Sequence, residues 1–284
     1  MILKVIMLVV FFAIMIGVGF YSRKQATDVN GFVLGGRSVG PWLTAFAYGT
    51  SYFSAVIFVG YAGQFGWKYG IASTWIGIGN AVLGSLIAWA VLGRRTRLIT
   101  QKLDSRTMPE FFERRYNSKS LKLVSSLIIF VFLIPYTASL YNGLSRLFGM
   151  AFEIDYKVCV IAMAALTGIY VIVGGYMATA INDFIQGIIM LFGIVVVIAA
   201  VLKNYGGLTG ALDKLANVSD PAVSSTPGVF ASFLGPDIFN LVCVVILTSL
   251  GTWGLPQMVQ KFYAIKDEKS IRTGTVVSTI FAVI

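Results

Sequence analysis

The chain has 284 residues, of which 57% are hydrophobic and 12% charged, with a formal net charge of +10. Soluble domains carry roughly 25% charged residues, so this composition cannot build a water-facing surface and excludes an ordinary soluble domain. Histidine is absent and Cys159 and Cys243 each stand alone in an apolar run, which excludes histidine acid–base chemistry, HExxH zinc sites and CxxC sites.

Apolar runs fall at 2–21, 41–65, 71–93, 121–145, 157–177, 183–202 and 237–258, and an eighth begins near 273. A membrane-crossing helix needs about 20 such residues. The expected fold is therefore all-α, a polytopic helical membrane protein that stops at Ile284 after about seven and a half transmembrane helices, 1–284 forming one transmembrane domain. The first run has a single preceding lysine, Lys4, and no small-residue cleavage site, so it reads as a retained helix rather than a signal peptide. Most of the 22 lysines and arginines lie in 22–40, 94–122 and 260–272. The positive-inside rule puts these stretches in the cytoplasm and the N-terminus outside, and it accounts for the net charge without a nucleic-acid partner.

Between spans three and four, Thr107-Met-Pro-Glu110 has the spacing of a capping box with proline in the first helical turn. Phe111, Phe112, Arg114, Arg115 and Tyr116 then suit a helix lying at the cytoplasmic interface. Ser73, Gly77, Ala81 and Ser85 form a small-residue stripe at helical spacing, a packing face. Tyr141 and Asn142 either line a cavity or bond between helices.

Two spans carry helix-weakening clusters. Span two contains Tyr48-Gly-Thr-Ser-Tyr-Phe-Ser54, and span seven contains Thr248-Ser-Leu-Gly-Thr-Trp-Gly-Leu-Pro256. Unwound backbone at membrane depth is tolerated where it lines a cavity, and there free carbonyls coordinate Na⁺. The first cluster opens a run of five spans, about 41–202, and the second would open the next five at about 237–284, of which only the start falls in this sequence, the pattern of an inverted five-plus-five repeat. Asp183 is set apart from the other acids, at the start of span six. It is either an N-terminal helix cap with Asn182 or part of a cation route.

These residues together resemble the sodium:solute symporter family. The likeness rests on Gly35-Gly-Arg-Ser-Val-Gly-Pro41, the break at Gly49 to Ser54 with Gly60 after it, and Thr107-Met-Pro-Glu-Phe-Phe112 with Arg114. It continues through Tyr170-Val-Ile-Val-Gly-Gly-Tyr-Met-Ala178, Asp183, Gln186 and Pro256-Gln-Met-Val-Gln-Lys-Phe-Tyr-Ala264. The resemblance implies a LeuT-like inverted-repeat fold in the plasma membrane and Na⁺-coupled symport of a small organic solute by alternating access. Na⁺ is then the coupling ion, with no other cofactor and no enzymatic role. It implies sodium binding at Thr50, Phe53 and Asp183, the first two through backbone carbonyls. Substrate binding falls on Tyr52, Ser54, Thr248, Thr252 and Trp253. Tyr52 stands where proline carriers have an aspartate and Ile57 where a galactose carrier has a glutamine, so the solute stays open among amino acids, sugars and carboxylates. A solute-sensing input module of a signalling protein is the alternative role.

Overall fold

The computed structural model describes residues 2–53 and 61–284. The described residues are helical or irregular, with isolated bridges and no strands. The helices are α1 (Ile2–Ser22), α2 (Val29–Leu34), α3 (Pro41–Tyr52), α4 (Ala62–Tyr69), α5 (Thr74–Gly79), α6 (Arg94–Lys102), α7 (Met108–Tyr116), α8 (Lys119–Phe152), α9 (Tyr156–Asn204), α10 (Gly207–Ala216), α11 (Ile238–Leu250), α12 (Pro256–Ala264) and α13 (Glu268–Val283). Between α5 and α6 the chain is π-helical over Asn80–Ile87 and Trp89–Gly93. Such wider turns often mark functional positions inside helices.

Burial runs opposite to that of a soluble protein. Phe130 and Phe192 on α8 and α9 are 68% and 70% exposed, whereas Thr44, Ser85 and Ser249 are almost wholly enclosed. Lipid tails are as apolar as leucine, so helices in a membrane associate through small residues and hydrogen bonds. The Ser73–Ser85 stripe behaves accordingly at its far end, where the Ser85 and Ser278 hydroxyls lie 2.6 Å apart between the π-helical stretch and α13. The enclosed hydrophobic cluster of Tyr48, Trp89, Met258 and Phe262 packs α3, the π-helical stretch and α12 together.

Among the described residues, four helical stretches are long and apolar enough to cross a membrane: Ile2–Gln25, Ala62–Lys102, Lys119–Phe152 and Tyr156–Asn204. Ile238–Gly254 with Pro256–Ala264, bent by 52°, makes a fifth. The expected span 41–65 passes through 54–60, which lie outside the described residues, and the expected spans 157–177 and 183–202 are joined in the single 49-residue α9. Straight, α9 would be about 74 Å long, more than twice a bilayer core. Gly175, at φ 58° and ψ −150°, interrupts it. Only glycine visits that backbone region readily, and a Cβ there would sit 2.9 Å from the Phe32 carbonyl oxygen. Gly19 of α1 abuts Tyr170, while the Met15 carbonyl four residues earlier accepts a hydrogen bond from Asn182. A straight helix would hold Tyr170 and Asn182 about 18 Å apart. The helix is therefore kinked at Gly175, and residues on both sides of the kink contact α1. The expected interruption at 178–182 is corrected to this single residue.

The spacing Thr107–Glu110 does cap a helix. The Glu110 amide donates to Thr107 Oγ1 at 3.3 Å and the Arg106 amide to Glu110 Oε2 at 2.8 Å, with Pro109 in the first turn of α7. On the basic side of the molecule, residues just before α3 and just after α12 zip together. The Val39 amide donates to the Ala264 carbonyl and the Lys266 amide to the Val39 carbonyl. Arg97 closes the arrangement, its Nε donating to the Ile265 carbonyl at 2.5 Å and its Nη2 to the Lys266 carbonyl at 3.0 Å.

Candidate solute and ion site

The two clusters that weaken helices are places where helices stop. α3 ends at Tyr52, and Phe53 leaves helical geometry at φ −88° and ψ 60° while its amide still donates to the Gly49 carbonyl at 2.8 Å. Thr50 lies in the last turn of α3. Its own hydroxyl donates back to the Phe46 carbonyl at 2.9 Å, which leaves its side chain occupied. α11 ends at Leu250, a tight turn covers Gly251–Gly254, Leu255 is extended, and Pro256 restarts the chain as α12. Proline fits there because the first turn needs no amide donor.

The breaks meet across span three. Tyr52 Oη lies 2.9 Å from Asn80 Oδ1 and 3.1 Å from the Thr248 carbonyl oxygen. Ser249 Oγ donates to the same Asn80 oxygen at 3.1 Å. Trp253 Nε1 donates to the Leu83 carbonyl at 3.1 Å, and Thr252 Oγ1 to the Ser249 carbonyl at 3.0 Å. Beside this knot is a cavity of about 220 Å³ walled by Phe53, Tyr61, Phe65, Ser73, Asn80 and Thr248. It is smaller than pockets for drug-sized ligands and suits a compact solute, with aromatic walls and a few polar groups. No acidic or basic side chain is among its described lining residues.

The structure thus brings Tyr52, Phe53 and Thr248 to one place, with Thr252 and Trp253 in the turn that follows. Ser54 and Ile57 lie outside the described residues. Asp183 is elsewhere: its Oδ2 is 3.3 Å from Lys261 Nζ of α12. The Lys261 side chain is 8% exposed and its ammonium lies over the Tyr176 ring, 5.4 Å from the centroid. Asp183 sits inside α9 eight residues past Gly175, so the capping alternative is corrected, and Asn182 donates to Met15 rather than closing a helix end. One turn on from Asp183, Gly187 packs against Thr50 and Phe46. Asn142 of α8 accepts from Arg146 within the same helix.

Asn80, Ser249 and Lys261 were not singled out as site residues from the sequence. Asn80 had a signal: it is the one amide in an apolar run, seven residues from Ser73 and so on the same helical face. Lys261 had none, since it reads as part of a basic stretch.

Several membrane-length apolar helices, with a broken span beside a small cavity, mark a multi-pass membrane protein. The sequence pattern of the sodium:solute symporter family matches residues 32–284, and the chain belongs to that family. It is similar to the sodium/proline symporters of Staphylococcus aureus strains JH9 and NCTC 8325, each 36% identical over 270 residues, or 94% of this chain. The chain spans about half the length of these relatives, 51%. Its fold is similar to that of a Na⁺-coupled sialic acid symporter solved in a substrate-bound outward-open state. That likeness has a TM-score of 0.73 at 20% identity and covers 96% of this chain and 56% of the other. These relatives are symporters rather than enzymes, and the sensing alternative gains no support from them.

Proposed function

We propose that the protein works in Na⁺-coupled secondary symport of a small organic solute by alternating access, as one transmembrane domain of the plasma membrane with its N-terminus outside. The observation that carries this reading is the meeting of two mid-span helix breaks at a single small cavity, in a chain of the sodium:solute symporter family. Carbonyls of Thr50 and Phe53 at the end of α3 supply the first oxygen ligands for Na⁺, and Asp183 provides a carboxylate on the ion's route. Tyr52, Ser54, Thr248, Thr252 and Trp253 surround the solute. Na⁺ binding at the first break favours the outward-open state and orders the solute site, because an ion shifts a conformational equilibrium toward the state it binds better. The five spans of about 41–202 make the first repeat, and the segment from about 237 opens the second.

The named relatives carry proline. Here a tyrosine occupies the position of the proline carriers' aspartate, and the aromatic, uncharged wall supports a small solute with an apolar body. The test is uptake into proteoliposomes holding the complete gene product. Accumulation of labelled amino acids, sugars or short carboxylates should follow an inward Na⁺ gradient and stop when an ionophore collapses it. Uptake indifferent to Na⁺ would refute the reading.

A further inference from the structure

Three elements meet at one amide. The Asn80 side chain, in a residue only 3% exposed, accepts through Oδ1 from Tyr52 at the end of α3 and from Ser249 in the last turn of α11. It belongs to neither broken helix but to the π-helical stretch between α5 and α6, and it also walls the cavity. Tyr52 lies in sequence between Thr50 and Phe53, so whatever fixes the carbonyls of those two residues fixes the tyrosine as well. Its single proton serves either Asn80 or the Thr248 carbonyl, and the Thr248–Ser249 pair is where α11 gives way to the second break. Buried polar networks of this kind have few satisfied arrangements, so moving one member obliges the others to move.

We propose that Asn80 is the positioning residue that transmits Na⁺ occupancy at the first helix break to the solute cavity at the second. The inference rests on the symport reading above. It goes further by naming the residue that joins ion to solute: the acceptor oxygen of Asn80 holds Tyr52 and Ser249 in one register, and Na⁺ tightens that register from the Tyr52 side. Coupling between two sites requires such a shared element, whose arrangement each ligand biases.

The experiment is hydrogen–deuterium exchange of the complete gene product in nanodiscs, with Na⁺ as the only probe and K⁺ as the control. In the wild type Na⁺ should slow exchange in 41–53 and also in 241–254. In Asn80→Ala the slowing at 41–53 should persist and that at 241–254 be lost. Asn80→Asp keeps an acceptor for both hydroxyls and should restore it. Ser249→Ala removes one arm with little change of volume and should show the same selective loss, which keeps the test decisive if Asn80→Ala does not fold. Undiminished slowing at 241–254 in Asn80→Ala or Ser249→Ala overturns the proposal. So does an Asn80→Asp variant as defective as the alanine, or a wild type in which Na⁺ slows 41–53 alone. Absence of any Na⁺ effect at 41–53 in the wild type would instead remove the ion site, and the proposal with it.

Discussion

Tyr52 and Asp183 show how much a single side chain depends on what faces it. The Tyr52 hydroxyl occupies the space opposite Gly84, where a Cβ would lie 1.9 Å from it. Tyr52 is enclosed and its ring stacks on Tyr48 with centroids 6.0 Å apart, so it has no room to yield. Gly84→Ala should therefore break the bonds to Asn80 and Thr248. Overpacking of this sort costs about 1–3 kcal/mol. Na⁺-driven uptake should fall with the melting temperature in that variant, and normal values of both would show that the wall can relax. Asp183 carries a separate expectation. Asp183→Asn leaves the Lys261 ammonium enclosed without its counter-charge, which costs roughly 3–5 kcal/mol in buried pairs. The variant should melt earlier and need more Na⁺ for half-maximal uptake, and adding Lys261→Met should recover the stability without recovering the Na⁺ affinity. Recovery of both together would reduce Asp183 to a structural partner of Lys261.

At the scale of the element, helix ends carry the argument. α13 begins at Asp267, whose Oδ1 accepts from the Ser270 amide at 2.7 Å. That backbone bond, then the Ser270 hydroxyl, holds the carboxyl below the usual carboxylate range although it lies at the exposed surface. A carboxyl depressed in the folded state stabilises it at every pH above its unfolded value, and the contribution is lost as pH falls through the folded value. Amide exchange at Ser270 and Ile271 should thus stay slow from neutral pH down through the ordinary carboxylate range and quicken only in stronger acid. Asp267→Asn, which can cap without titrating, should show no such acid step. An acid step that persists in Asp267→Asn would point to another group. The cap at Thr107 was legible in the sequence because it involves residues within three positions; Asp237 and Asp267 cap just as locally but were not singled out.

For the whole molecule, the decisive contacts join the two broken spans on the basic side. The bridge from Val39 to Ala264 and Lys266, clamped by Arg97, ties the start of α3 to the end of α12. These two half-helices should then move as one body. Arg97→Gln removes charge-assisted bonds worth about 1.5–3 kcal/mol each. It should lower the melting temperature and broaden the distance distribution between spin labels at exposed Gly36 and Lys269, measured in nanodiscs. An unchanged distribution would mean that the backbone bridge alone is sufficient.

The sequence by itself determined that the chain is helical and lives in a membrane, where two of its apolar runs weaken, and to which family it belongs. Those properties reside in composition, in runs of about 20 residues and in short motifs, all read along the chain. The tertiary structure alone decided that α9 is kinked at Gly175 rather than interrupted at 178–182, that Asp183 faces Lys261, and that Asn80 joins the breaks. The last two pairings link residues 78 and 169 positions apart. No local period records such distances. A lone amide or lysine acquires its partner only when packing removes every alternative, because an enclosed polar group without one costs more than the bond itself contributes.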